Sequence, residues 1–361
     1  MNDKETKKIL MVGGGTGGSV APLLAIAAYL RERQKETNWQ FFWLGTNQGP
    51  EKEMVASAHI PFSAIYAAKL RRYWSWENLF IPFFLLIGFG QALYYIFKEK
   101  PDLVMNAGSF VGVPVVWAAW FGRVPVLIHQ QDARVSLSNR LTAPLAKVVT
   151  VAMEKSLADF GGKAFWTGNP IRLEFFRQNS ALPKHLFALN FFDQRPLVLA
   201  LGGGTGAVAL NEQVAAAAAS LPAYLFVLVT GRGKQLAFAP DNLRAVEFVD
   251  AAALSALARR AVLVISRCGL NVLTELALLG KPAILIPMPA SHQEDNAVWF
   301  FEARAALVMD QSELTAERLA QAVRKVMTDD RLRRLFSQNI RNFARPDANE
   351  KIADIARDML G

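Results

Sequence analysis

The pattern that most constrains this chain is a short apolar run, a cluster of glycines and a helix-like run, written twice. The first copy is "ILMVGGGTGGSVAPLLAIAAYL", Ile9 to Leu30, and the second is "LVLALGGGTGAVALNEQV", Leu197 to Val214. A brief, uninterrupted apolar run before a glycine turn reads as a strand buried on both faces, as in a parallel sheet. Gly13, Gly15 and Gly18 satisfy G-x-G-x-x-G between such a strand and a helix. Glycine permits the positive φ of a tight turn, and the helix that follows offers free N–H groups with the positive end of its dipole. A phosphate or diphosphate is the expected guest. The motif serves several nucleotide and cofactor classes, so its chemistry has to be read from the rest of the chain.

Around each glycine turn, strand-like and helix-like runs alternate. "QFFWLGT", "PDLVMNAG", "VPVLIHQ" and "KVVTVAM" follow the first turn, and "YLFVLVTG", "AVEFVD", "AVLVISRCG" and "PAILIPMP" follow the second. Strands separated by helices predict an α/β fold with parallel sheets, and two glycine-opened sets predict two Rossmann-like domains. A length of 361 residues suits that number. The expected boundaries are 1–167 and 168–345, divided at the Gly-Asn-Pro of "WTGNPIR". The tail 346–361 is a closing helix expected to pack back on the first domain.

Several classes are disfavoured. A P-loop needs Gly-Lys-Ser/Thr, but the first turn continues Gly18-Ser19-Val20. Dinucleotide dehydrogenases place an acid after the second strand, where these halves read "WLGTNQG" and "LVTGRGK". The one cysteine, Cys268, allows no internal disulfide and suits a reducing compartment. The chain opens with no signal-peptide pattern. His59, His129, His185 and His292 have no metal-ligand spacing, so no metal and no cofactor is expected. The net charge of +9 favours acidic partners. No recognition helix or stacking motif accompanies that charge, which argues against nucleic acid.

The stretch Leu79 to Phe97, "LFIPFFLLIGFGQALYYIF", carries no charge and has the length of a membrane span. The strand-like runs on either side belong to one sheet, which argues against a full crossing. Upstream lies "KLRRYWSWENLF", with Lys69, Arg71, Arg72, Tyr73, Trp74 and Trp76. Basic and aromatic residues beside an apolar helix suit an element lying in a membrane interface, in preference to a fully buried helix.

The most informative chemistry lies in "LVISRCGLNVLTELALLGKPAILIPMPASHQEDNA". A strand ends at Ser266, Gly269 opens a helix, and Glu275 follows among Leu273, Leu276, Ala277 and Leu279. The helix start suits a diphosphate, and a carboxylate in apolar company needs a partner, such as the two hydroxyls of a ribose. Gln293 and Asn296 are placed to bond sugar hydroxyls.

These stretches, with "GGGTGG", "HQQDARVSLSNR", "TGNPIR", "GGGTGAVALN", "EFVD" and the terminal "RPDANEKIA", resemble the MurG family in order and over nearly the whole chain. The resemblance implies a GT-B glycosyltransferase, with two Rossmann-like domains whose parallel sheets face across a cleft. It implies inverting transfer of N-acetylglucosamine (GlcNAc) from UDP-GlcNAc to the muramoyl 4-hydroxyl of lipid I, an undecaprenyl-linked acceptor, at the cytoplasmic face of the bacterial membrane. The implied placements put Glu275 at the ribose and Leu270, Asn271, Val272, Leu273 and Thr274 at the diphosphate. Val249, beside Phe248, goes to the uracil, Gln293 to GlcNAc, and Arg172 matches the family's arginine. Thr16, Gly17 and Gly18 are expected at the acceptor diphosphate.

The chain departs from the family on the acceptor side. Ser19 stands where the family's first loop has histidine. His129-Gln130-Gln131-Asp132 replaces His-Glu-Gln-Asn, and Gly204-Thr205 replaces Ser-Gln. A serine hydroxyl is a poor base. Asp132, paired with His129, is therefore the expected proton acceptor, weighed against a capping or acceptor-binding role. The altered loops leave open a different lipid acceptor, or a relative that binds UDP-sugar without turnover.

Overall fold

The computed structural model describes residues 5–47, 49–67, 76, 80–177, 193–202 and 207–361. Contacts divide them into two compact units, 1–171 with 346–361 and 172–345. Gly204, Thr205 and the basic-aromatic segment 69–75 lie outside the described residues.

The first unit is built from β1 (Thr6–Val12), α1 (Ala21–Arg33), β2 (Asn38–Gly45), α2 (Glu51–Ser57), β3 (Phe62–Ala64), α3 (Ile81–Glu99) and β4 (Leu103–Asn106). It continues with α4 (Gly112–Phe121), β5 (Val126–Gln130), α5 (Leu137–Thr142), β6 (Val148–Val151) and β7 (Ala164–Trp166). Its seven described strands lie in the order β3-β2-β1-β4-β5-β6-β7, and every pairing is parallel. Successive β1 side chains point to opposite faces. Ile9 and Met11 therefore join the core under α1, while Leu10 and Val12 join the core under α3 and α4. Both faces being covered explains why the strand reads as continuously apolar.

The second unit comprises β8 (Leu197–Leu201), α6 (Val208–Ala219), β9 (Leu225–Val229), β10 (Leu243–Val246), α7 (Ala251–Arg260), β11 (Leu263–Ser266) and α8 (Leu270–Leu279). It ends with β12 (Ala283–Leu285), α9 (His292–Glu302), β13 (Leu307–Val308), α10 (Ala316–Thr328) and α11 (Asp330–Ile340). The parallel sheet runs β10-β9-β8-β11-β12-β13. Its core joins Val198, Ala200 and Ile265 to Leu210 and Val214 of α6 and to Leu319 and Val323 of α10. The last helix, α12 (Ala348–Leu360), returns to the first unit, where Ile352, Ala353 and Ala356 share a core with Leu23 and Ile26 of α1.

Strand order reverses between β1 and β4 in one sheet and between β8 and β11 in the other. Ligands of open α/β sheets bind outside the carboxyl ends of strands at such switch points. The first glycine turn, Gly202 after β8 and the Arg267–Gly269 turn lie there.

α3 is the crossover between β3 and β4 of one sheet, so it runs along the unit's side and does not leave it. Gly88 allows the close approach: a Cβ there would overlap the Tyr66 carbonyl. The inner face carries Gly88, Ala92 and Ile96, all buried. The outer face exposes Phe83, Leu86, Tyr94 and Phe97 at helical spacing, and Trp120 and Phe121 of α4 are exposed as well.

Candidate active site

Gly269 is the N-cap of α8 and offers no side chain to the first amides of the helix. The amide of Leu273 donates to the Gly269 carbonyl at 3.2 Å, and Leu270, Asn271 and Val272 form the turn before it. Thr274 turns its hydroxyl back to the Leu270 carbonyl at 2.6 Å, and Leu273 is fully buried. These two build the helix start.

One turn further, Glu275 is buried, and both its oxygens are held by Arg172: Nε to Oε1 at 2.6 Å and Nη2 to Oε2 at 2.8 Å. Arg172 leaves the Gly-Asn-Pro segment in extended conformation and lays its guanidinium over the Phe175 ring at 5.3 Å. Burial disfavours the Arg172 cation. The Glu275 charge and its fork outweigh that, and the arginine stands above its ordinary pKa. A carboxylate has about four lone-pair positions; the fork takes two and leaves two for a vicinal diol.

Gln293 follows Ser291, which caps α9 by accepting from the Gln293 amide. The Gln293 Oε1 accepts from the backbone N–H of Cys268 and of Met288, each at 3.1 Å. Its side chain therefore has its N–H donors to offer. Asn296, expected at the sugar hydroxyls, is completely buried and donates to the Cys268 carbonyl at 3.0 Å. Arg267 is likewise occupied, donating to the carbonyls of Ile286 and Pro287 at 3.1 Å.

Val249 is nearly buried just before Asp250, whose carboxylate caps α7 by accepting from the Ala253 amide at 2.7 Å. Phe248 is exposed, and the Arg232 guanidinium lies 4.8 Å from its ring centre. Arg232 was legible only as part of a glycine turn; nothing in its spacing announced a stacked pair.

In the first unit, the turn at Gly13–Gly15 is occupied from within. The Gly13 amide donates to Leu44 and its carbonyl accepts from the buried Trp43 indole at 3.0 Å. The Gly14 carbonyl accepts from Ser19 Oγ at 3.4 Å, and the Gly15 amide donates to Glu51 at 3.1 Å. The amides of Gly13 and Gly15 are thus both engaged within the protein. What the loop presents is Thr16, Gly17 and Gly18, exposed or half-exposed at the start of a short helical turn that leads into α1. Ser19 is buried, with its hydroxyl on the Gly14 carbonyl.

The expected pairing of His129 with Asp132 is not formed. His129 is fully buried at the end of β5, with Nδ1 2.9 Å from the Thr150 hydroxyl and Nε2 3.2 Å from Asn169 Oδ1. Both ring nitrogens are engaged away from Asp132. Burial pushes the imidazole down to about 4, against the opposing hydrogen bond that Asn169 Oδ1 accepts, so it is neutral. Asp132 itself is half-exposed in the loop after β5. That loop is stiffened by Gln130, which donates to the Asp132 and Arg134 carbonyls and accepts from Asn139, while Gln131 donates to the Ala107 carbonyl.

Residues 9–151 match the glycosyltransferase family 28 N-terminal domain, and residues 197–358 match the glycosyltransferase family 28 C-terminal domain. A UDP-N-acetylglucosamine–N-acetylmuramyl-(pentapeptide) pyrophosphoryl-undecaprenol N-acetylglucosamine transferase of Lachnospira eligens is 34% identical, over 98% of this chain and 99% of its own. The Legionella pneumophila (strain Paris) enzyme of the same name is 33% identical over 97% and 96%. The crystal structure of Acinetobacter baumannii MurG superposes with a TM-score of 0.71 at 27% identity, covering 98% of this chain and 99% of that one. With two parallel α/β sheets of the GT-B type and relatives matched end to end, the chain belongs to the MurG family of N-acetylglucosamine transferases.

Proposed function

We propose that the chain transfers GlcNAc from UDP-GlcNAc to the muramoyl 4-hydroxyl of lipid I, with inversion at the anomeric carbon. The observation that carries the reading is Glu275, a buried carboxylate fixed by Arg172 about one turn into α8. That arrangement suits a ribose diol with its diphosphate alongside. The positive N-terminal end of α8, opened by Gly269, stabilises the charge gathering on the departing UDP. Gln293 donates to the sugar hydroxyls, and Val249 with Phe248 flanks the base.

The acceptor belongs to the first unit, at Thr16, Gly17, Gly18 and Asp132. Its hydroxyl oxygen bonds to the anomeric carbon as the bond from that carbon to the phosphate oxygen breaks. The proton passes to Asp132, the half-exposed acid of the loop after β5. The apolar outer face of α3, with Trp120 and Phe121, rests on the cytoplasmic membrane surface that carries the acceptor. Labelled UDP-GlcNAc offered with a panel of lipid-linked acceptors tests the reading: label on lipid I supports it, and label on none of them refutes it. Label confined to another lipid would favour a different acceptor, the alternative suggested by the altered His129-Gln130-Gln131-Asp132 loop.

A further inference from the structure

Glu51 is the first residue of α2, yet none of its surface is exposed. A carboxylate so placed needs full compensation, and it receives it from the glycine loop and the end of β2. Oε2 accepts from the Gly15 amide at 3.1 Å. Oε1 accepts from the Thr46 amide at 3.0 Å and from the Thr46 hydroxyl at 2.5 Å. The surrounding backbone leaves room for this group and nothing more. A Cβ on Gly14 would come within 2.5 Å of Oε1, one on Gly45 within 3.1 Å of Cγ, and one on Gly49 would overlap the carboxylate. Gly15 itself sits at φ 81°, a conformation that glycine adopts without strain.

We propose that Glu51 is a positioning residue for the acceptor loop: its buried carboxylate holds Gly15 so that Thr16, Gly17 and Gly18 meet the acceptor. The inference rests on the transferase reading and deepens it. Three side chains hold the loop from within, Trp43 at Gly13, Ser19 at Gly14 and Glu51 at Gly15. Of the three, Glu51 alone carries charge. It fills the anion position that a glycine turn usually offers, so a ligand phosphate at the Gly15 amide would meet a carboxylate at hydrogen-bonding range. The diphosphate of the acceptor is thereby directed one step along the chain. Glu51 acts through the loop and touches no reacting atom.

Glu51→Gln keeps the shape but turns one acceptor oxygen into an N–H donor, which must face the Gly15 or the Thr46 amide. The full-length variant is expected to lose at least about tenfold in kcat, with the KM for UDP-GlcNAc and the affinity for UDP within about twofold of wild type. Hydrogen exchange of 13–20 should accelerate by at least about tenfold while β1 and β4 stay protected, which separates a loosened loop from a loosened unit. Should Glu51→Gln not fold, Thr46→Val removes one of the three bonds and should shift both readouts the same way, by about threefold. Wild-type kcat with wild-type exchange at 13–20, or equal losses in kcat and UDP affinity, would overturn the proposal. If the wild type transfers to no lipid-linked acceptor, the transferase reading fails, and the exchange measurement still decides whether Glu51 holds the loop.

Discussion

Arg172 grips Glu275 with two parallel hydrogen bonds, Nε to Oε1 at 2.6 Å and Nη2 to Oε2 at 2.8 Å. The glutamate side chain is 3% exposed and the arginine 27%. A two-pronged arginine fixes the plane of a carboxylate as well as its charge. Glu275 is thus oriented before any nucleotide arrives, which reduces the ordering cost of binding. Arg172→Met leaves a buried carboxylate without its cation and is expected to destabilise the second unit by about 3 kcal/mol. Adding Glu275→Gln should restore much of that stability while UDP affinity remains at least about tenfold below wild type. Denaturation and UDP titration on the two variants check this. Wild-type UDP affinity in the double variant would remove Glu275 from the site.

Gln293 has its carbonyl oxygen engaged by two backbone amides, so it meets a ligand as a donor. Gln293→Glu would keep the acceptor oxygens and lose the donors. The KM for UDP-GlcNAc is expected to rise about tenfold while inhibition by UDP, which lacks the sugar, stays within about twofold. Equal weakening of both ligands in steady-state kinetics would show that Gln293 serves the helix start and not the sugar.

The buried His129 makes the stability of the first unit depend on pH. Its folded pKa of about 4 lies below the ordinary value of 6.5, so between those values the unfolded chain binds more protons. Stability is complete above about pH 6.5 and falls as pH drops towards about 4, by about 3 kcal/mol in total. His129→Gln should flatten that part of the profile. Denaturant midpoints measured from pH 7.5 to 4 would test it, and identical slopes in the two proteins would refute it.

The strands and the two switch-point turns were legible because both faces of each sheet are covered, which leaves runs such as Leu197–Leu201 apolar throughout. Glu275 was legible for a related reason, as an acid among leucines. Sequence gives residue type without direction: Asn296 is buried with its amide on the Cys268 carbonyl, and His129 is buried between the Thr150 hydroxyl and the Asn169 side chain. Glu51 gave no signal at all. It stands with Lys52 and Glu53 in a stretch that looks like a solvated helix start, and only the packing of Gly14, Gly45 and Gly49 around it reveals its burial.

Asp132 is the half-exposed acid of the loop after β5, and the ring nitrogens of His129 are engaged by Thr150 and Asn169 and not by it. If Asp132 takes the hydroxyl proton alone, Asp132→Asn should cut kcat by at least about a hundredfold. UDP affinity, governed by the second unit, should stay within about twofold. Single-turnover transfer with saturating donor measures the chemical step directly. Undiminished turnover would leave Asp132 with its alternative role as a binding or capping residue.

The outer face of α3 combines Phe83, Leu86, Tyr94 and Phe97, and its inner face is buried against the unit it belongs to. Such a helix can enter a lipid surface only as deep as its exposed side chains reach. Each large apolar side chain buried contributes about 2 kcal/mol, and the net charge of +9 adds attraction to anionic lipid. Phe83→Asp with Leu86→Asp should therefore reduce sedimentation with phosphatidylglycerol vesicles by at least about tenfold, as about 4 kcal/mol of apolar burial is lost. Raising the salt on the wild type should weaken binding without abolishing it, because the apolar contribution is unscreened. Val208→Asp, an exposed apolar position in the second unit, provides the control. Equal vesicle binding by the double variant and the control would show that α3 does not contact the membrane.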